Sequence, residues 1–216
     1  QSETPPRKIV VTAGPTCEDI DPVRFLTNRS SGRMGYSLAR VAKAAGHDVV
    51  LISGPTALPE PPGCRCVHVR SAAEMSGAVQ QELGTADMLI MAAAVADFRP
   101  AEIERQKIHK TGETLSLTLQ RTEDILQAVA RQRRSDQTVV GFAAETEDVE
   151  QGALKKLKEK NLDFVVANDV SRAGIGFGAA DNEVTVYDKT GKSMPLPKLD
   201  KLELAARLLE CFTETR

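Results

Sequence analysis

Apolar residues fall along this chain in two periodicities that take turns. The segment Lys8-Ile9-Val10-Val11-Thr12-Ala13 is a β-branched run that ends in Gly14-Pro15-Thr16, which predicts a buried strand closing in a turn. Similar strand patterns occupy 48–53, 66–70, 88–95, 138–143 and 163–167. Helical spacing covers 33–45, 72–83, 123–133, 148–160 and 200–213. This alternation predicts a parallel sheet with crossover helices, and ligands should then gather at the C-terminal ends of its strands.

Two segments depart from that rhythm. Leu115-Ser116-Leu117-Thr118-Leu119 alternates strictly, as does Glu183-Val184-Thr185-Val186-Tyr187 before the turn Asp188-Lys189-Thr190-Gly191. Both read as half-buried antiparallel strands, near 115–119 and 183–197, which could cover an edge of the parallel core or pair with a second subunit as a dimer arm. The predicted fold is α/β, Rossmann-like and doubly wound, with a mainly parallel sheet and an added antiparallel hairpin. There is no internal repeat, and residues 1–216 read as a single domain.

The loops at the strand ends carry the candidate chemistry. Between the first strand and the first helix, Asp21 to Gly35 reads as a phosphate-binding loop. There Ser30 and Ser31 offer hydroxyls and an N-cap, Gly32 lets a ligand approach the backbone, and the helix dipole would face an anion. Arg24, Asn28 and Arg33 add polar and charged groups. Ser53-Gly54-Pro55-Thr56 follows the next strand, while Ala92-Ala93-Ala94-Val95-Ala96-Asp97-Phe98 leaves room for a ligand beside one carboxylate. Lys107-Ile108-His109-Lys110 is a basic cluster in a loop that could close over phosphates. Gly141-Phe142-Ala143-Ala144-Glu145-Thr146 offers one aromatic face for a base, and Lys156 and Lys160 share a helix face. Each has a plain alternative: a solvated loop for the basic cluster, a turn residue for Asp97, core for Phe142, a wet helix face for the lysines.

Composition narrows the partners. The chain has 216 residues, net charge −2, six Phe, two Tyr and no Trp, so it lacks the basic field and stacking aromatics of a nucleic-acid binder. No apolar run is long enough to span a bilayer and no signal-peptide pattern is present, which predicts a cytoplasmic chain without membrane contact. The absence of an initiator Met suggests an excised or processed fragment. Cys17, Cys64, Cys66 and Cys211 form no C-x-x-C pair and read as free thiols; Cys17 has no evident base nearby.

Taken together, Thr12 to Thr16, the Asp21 to Gly35 loop, Ser53 to Thr56, Ala92 to Phe98, Lys107-Ile108-x-Lys110, Gly141 to Thr146, and Asn161-Leu162-Asp163 leading to Ala167-Asn168-Asp169-Val170 resemble the phosphopantothenoylcysteine synthetases. Members are free-standing or form the C-terminal half of a bacterial bifunctional coenzyme A biosynthesis flavoprotein, with a fused decarboxylase domain. The resemblance implies a ligase that activates the carboxylate of 4′-phosphopantothenate with CTP and Mg²⁺, releases pyrophosphate, and gives the acyl-cytidylate to the amine of L-cysteine. It implies a homodimer. By motif position, Asn28 acts at the acyl centre, Arg24 shapes the loop, and Ser30, Ser31 and Gly32 hold the triphosphate near Gly14. Lys107 reaches the nucleotide site, Ala93, Ala94 and Asp97 line the cytidine and substrate region, Phe142 supports the base, and Lys156 and Lys160 contact phosphates. The direct magnesium ligands are not implied.

Two positions differ from the family pattern. His109 replaces a third lysine of the basic loop, so loop closure is expected to vary with pH near neutrality. Glu123 stands where a proline is common, in the first turn of a helix that accepts either residue. A dinucleotide-binding oxidoreductase is the rival reading, but the first loop lacks G-x-G-x-x-G and the second strand ends in Ser53-Gly54 without a ribose-binding acid. A non-catalytic nucleotide- or partner-binding subunit is the third.

Overall fold

The buried run Lys8–Ala13 (β1) lies inside an eight-stranded sheet in the computed structural model, which describes residues 5–109, 112–145, 148–169 and 181–214. After β1 come a short ribbon of Cys17–Asp19 (β2) and Phe25–Thr27 (β3), helix Arg33–Ala44 (α1), strands Asp48–Ser53 (β4) and Arg65–His68 (β5), and helix Ala72–Leu83 (α2). Strand Met88–Met91 (β6) leads to a second ribbon of Phe98–Pro100 (β7) and Leu119–Arg121 (β8), then helix Ile125–Gln132 (α3). The remainder is Thr138–Glu145 (β9), Val149–Glu159 (α4), Phe164–Asp169 (β10), Asp181–Asp188 (β11), Ser193–Asp200 (β12) and Lys201–Glu214 (α5).

The sheet order is β12-β11-β10-β9-β6-β1-β4-β5, with β10 through β5 parallel and β11 and β12 antiparallel. From β1 the chain runs outward to β4 and β5, then returns to β6 on the other side of β1. The switch point between β1 and β6 opens a crevice beyond their C-terminal ends. Adjacent residues of β1 divide between the two faces. Ile9, Val11 and Ala13 pack with Leu38 and Ala42 of α1 and with Leu204 and Leu208 of α5, whereas Val10 packs with Met75 of α2, Val129 of α3 and Leu157 of α4.

The α/β architecture and all five helices agree with the sequence reading, as does the hairpin near 183–197, which extends the main sheet beside β10 and so covers its edge. Three expectations need correction. No strand spans 115–119: among those residues only Leu119 enters β8, and all five are exposed, so the alternation does not reflect a half-buried strand. The strand expected to run to Val95 ends at Met91, after which Ala94 N donates to Gly14 O at 2.9 Å in a loop-to-loop bridge. Neither Ser30 nor Ser31 caps α1. The cap position is Gly32 at φ 76°, and no side chain bonds to the helix end.

Gly35 shows why α1 can begin so close to β1, because a Cβ there would lie 2.5 Å from Ala13 Cβ and 2.8 Å from Thr12 O. Gly77, on the exposed side of α2, has nothing within 4 Å. Gly35→Ala is therefore expected to lower stability by about 1–3 kcal/mol through overpacking. Gly77→Ala should raise it by about 0.5–1 kcal/mol through helix propensity. Chemical denaturation of both variants tests the pair, and equal effects would remove the close helix–strand contact as an explanation.

Candidate functional site

A cleft of about 1200 Å³ opens at the switch point, walled by the start of α1, the loop after β6, the start of α3, the end of β9 and one face of α4. Helix α1 presents its N-terminus there. Gly32 turns into the helix at positive φ, and a Cβ on it would meet Thr56 Cγ2 at 2.8 Å and Gly14 Cα at 3.3 Å. Gly14 in turn leaves a Cβ position 2.9 Å from the same Thr56 methyl, while a Cβ on Gly54 would lie 1.9 Å from Pro15 O. Three glycine-bearing loops thus meet with almost no side chain between them. Tyr36 holds them in place: its hydroxyl lies 3.0 Å from Ser53 Oγ and accepts a hydrogen bond from Thr56 Oγ1 at 3.0 Å.

Because no side chain caps α1, the first-turn N–H groups and the positive end of its dipole remain available to an anion. Ser30 Oγ accepts from Gly32 N at 3.3 Å, which holds the loop instead of the helix end. Asn28 donates through Nδ2 to Ala94 O at 3.1 Å and Val95 O at 3.2 Å, fixing its amide across the mouth of the cleft. Of the residues expected from sequence, Asn28, Ser30, Ser31 and Gly32 line one wall, Ala93, Ala94 and Asp97 the next, and Phe142, Lys156 and Lys160 the far side.

Gly14, Arg24 and Lys107 are not on the wall. Gly14 underpins it. Arg24 donates from Nε and Nη2 to Asp21 Oδ2 at 3.0 and 2.5 Å and from Nη2 to Ile108 O at 2.9 Å. Asp21 also accepts from the backbone N–H of Val23, Arg24 and Ile108, so one buried carboxylate ties the start of the basic loop to the first loop. The Arg24 guanidinium, with those N–H groups, holds the Asp21 carboxyl well below the usual carboxylate range against the opposing effect of burial. Lys107 and His109 are exposed; Lys110, Thr146 and Val170 lie outside the described residues.

The far wall has its own pairings. Lys156 Nζ donates to Phe142 O at 2.6 Å, and Lys160 Nζ to Asp124 Oδ2 at 2.6 Å. Burial works to raise the Asp124 pKa, but the bonds from Lys160 and Gln127 N outweigh it and leave it below its ordinary value. Asp124 also caps α3. Asn161-Leu162-Asp163 proves structural: Asn161 turns out of α4 at φ 49°, and Asp163 pairs with Arg133 at 2.5 Å while accepting from Val139 N at 2.8 Å. Among the described residues, no group of three His, Cys, Asp or Glu side chains is placed to hold a metal ion.

Sequence reading missed Lys201 and Asn182 at one corner of the cleft. Lys201 at the first turn of α5, Asn182 of β11 and the end of β10 at Asn168 meet the side of α1 that carries Arg33. Lys201 is 9% exposed, and burial, then Arg33, pushes its ammonium below the ordinary lysine value. Asn168 Nδ2 donates to Asn182 Oδ1 at 3.2 Å, while Asn168 Oδ1 is buried without a hydrogen-bond partner among the described residues. A signal was present. Lys201 falls in register with Leu204, Ala205, Leu208, Leu209 and Phe212, the buried stripe of α5.

Comparison with known proteins adds independent information. The sequence model of the DNA/pantothenate metabolism flavoprotein C-terminal domain matches residues 5–215. The coenzyme A biosynthesis bifunctional protein CoaBC of Bacillus subtilis (strain 168) is 47% identical over 205 residues, covering 94% of this chain and 50% of that protein. The protein of the same name from Escherichia coli (strain K12) is 42% identical over 204 residues, covering 93% and 50%. The chain therefore spans about half the length of the curated relatives it matches. The crystal structure of the CoaBC C-terminal domain superposes with TM-score 0.83 at 43% identity, covering 98% of this chain and 96% of that one. A DNA/pantothenate metabolism flavoprotein from Streptococcus pneumoniae gives 0.81 at 27%, covering 95% and 97%.

Replacing Asp21 with Asn keeps an acceptor but removes the charge that holds Arg24 and Ile108. Trypsin should cut after Lys107 several-fold faster in Asp21→Asn at pH 7. Since the folded-state pKa lies below the unfolded one, the Asp21 contribution is complete above the ordinary carboxylate value and is lost as pH falls through the folded value. The difference in thermal midpoint between wild type and Asp21→Asn should therefore shrink below about pH 4. A pH-independent difference in midpoint would refute this account.

Proposed function

The chain belongs to the family of the DNA/pantothenate metabolism flavoprotein C-terminal domain, and on that footing we propose that it joins 4′-phosphopantothenate and L-cysteine through a CTP-derived acyl-cytidylate. A carboxylate oxygen attacks the α-phosphorus of CTP and pyrophosphate leaves. The neutral amine of cysteine then attacks the acyl carbon, CMP departs, and the amide forms with loss of one proton. No protein nucleophile is needed, so catalysis rests on alignment and on neutralising charge.

The observation that carries this reading is the uncapped N-terminus of α1 facing a cleft beside the fixed amide of Asn28. In the proposal the triphosphate lies against Ser30, Ser31 and the α1 N–H groups. The cytosine rests on Phe142, and Ala93, Ala94 and Asp97 border the cytidine and pantothenate. Asn28 meets the mixed anhydride. Lys156 and Lys160 would exchange their present acceptors for phosphate oxygens, and Lys107 would arrive by closure of the basic loop from the anchor that Asp21 and Arg24 provide. Magnesium would travel with the nucleotide's phosphates, and no step is assigned to a protein-held ion.

A homodimer belongs to the same proposal. Val23, Phe25, Phe98, Ile103, Leu115 and Leu117 stand exposed on and beside the two short ribbons β2-β3 and β7-β8, an apolar surface suited to a second copy. The hairpin β11-β12 is already used within the sheet. Phe25→Asp and Phe98→Asp together should convert a dimer to a monomer in sedimentation velocity; an unchanged sedimentation coefficient would move the interface elsewhere.

Pyrophosphate release from the chain with 4′-phosphopantothenate, Mg²⁺ and either CTP or ATP, with and without cysteine, tests the reaction. CTP-dependent release accelerated by cysteine is expected, and no release with either nucleotide would overturn the reading. Asn28→Asp should keep activation but slow cysteine capture by about 10²–10³-fold, while Lys107→Gln should weaken CTP binding about tenfold. Normal turnover in either variant would remove that residue from the mechanism.

A further inference from the structure

Lys201 breaks three electrostatic preferences at once. It is a buried ammonium, it opens a helix where the dipole repels positive charge, and the charge that acts on it across the packed pair α1–α5 is another cation, Arg33. Asp200 Oδ1 accepts from Leu202 N at 2.8 Å and Glu203 N at 3.0 Å, so that carboxylate is committed to capping α5. Among the described residues Lys201 has no carboxylate partner. Such an arrangement is unfavourable in the empty protein and becomes favourable when an anion enters between the two cations.

Lys201 and Arg33 both line the cleft, next to the bare end of α1. The lysines of α4 on the far wall already have protein acceptors, in Phe142 O and Asp124. Lys201 and Arg33 thus supply positive charge on the α1–α5 side that no carboxylate offsets among the described residues.

We propose that Lys201 is a substrate-positioning residue that, with Arg33 and the N-terminus of α1, holds the non-bridging phosphoryl oxygens of a bound substrate. The naming of substrates rests on the ligase reading; the anion site itself does not. Two sources share this chemistry, the phosphates of the nucleotide and the terminal phosphate of 4′-phosphopantothenate.

Calorimetric titration of the wild-type chain and of Lys201→Met, Lys201→Gln and Lys201→Arg with pyrophosphate, and separately with inorganic phosphate, tests the site without turnover. Pyrophosphate binding should weaken about ten- to hundredfold in the Met and Gln variants and recover in part with Arg. The thermal midpoint of unliganded Lys201→Met should equal or exceed that of wild type, because a buried unpaired cation has been removed; a lysine retained for structure would give a lower one. In steady-state assays, a raised KM for CTP alone assigns the nucleotide phosphates, and a raised KM for 4′-phosphopantothenate alone assigns its phosphate, with KM for cysteine unmoved. If wild type binds neither anion at millimolar concentration, or if all variants bind as wild type does, the proposal is wrong. If anion binding depends on Lys201 but neither CTP nor ATP supports pyrophosphate release, the subsite stands and the ligase reading falls.

Discussion

Helix α1 starts against the end of β1 with backbone on backbone, and the geometry of the cleft is set from that contact. Gly35 has no room for a methyl group beside Ala13, Gly32 none beside Thr56 and Gly14, and Gly54 none beside Pro15. Were any side chain interposed, the helix end would move outward from the crevice between β1 and β6. The dipole and free N–H groups act only over about the first turn, so a displacement of that kind would take them out of reach of a ligand held by the opposite wall. Close packing here is thus a condition for electrostatics.

The second condition is that the loops hold their shape before a ligand arrives. Asn28 spans to the backbone of Ala94 and Val95, Thr16 Oγ1 accepts from Ala96 N at 2.9 Å, and Thr122 Oγ1 donates to Ala96 O at 2.6 Å. These bonds join segments far apart in sequence through side chains that are short and have few rotamers, so little entropy is lost in forming them. Preorganised dipoles stabilise developing charge because they need not reorient as it appears. Asp21 extends the same principle to the start of the basic loop.

Legibility in the sequence followed burial. The parallel strands and the helices were readable because burial on one or both faces imposes a pattern over many residues. The ribbons β2-β3 and β7-β8 were not, since strands of three residues are too short to leave a periodicity to detect. The alternation at Leu115–Leu119 misled because the leucines and the polar residues between them are all exposed, so no burial of one face stands behind the pattern. Ser30 and Ser31 misled for another reason. Serine is a favoured cap, and only the left-handed turn at Gly32 reveals that the chain enters the helix without using either hydroxyl there. Arg24 was readable as a shaper of its loop, where Asp21 lies three residues away, but its bond to Ile108 spans 84 residues and no local pattern encodes it.

Lys201 lies between these cases. Its place on an apolar stripe was visible, and a lysine there has two physical readings: the stem fills a core position while the head escapes to solvent, or the head is kept inside for a ligand. Exposure of only 9% argues against escape, and the neighbouring Arg33 argues against a structural ion pair. What remains is a cation with no favourable partner among the described residues, which a bound anion would supply. With net charge −2, the protein as a whole does not attract anions. The affinity has to be generated locally, in a corner where burial strengthens the charge of Lys201 and where the empty site is electrostatically strained.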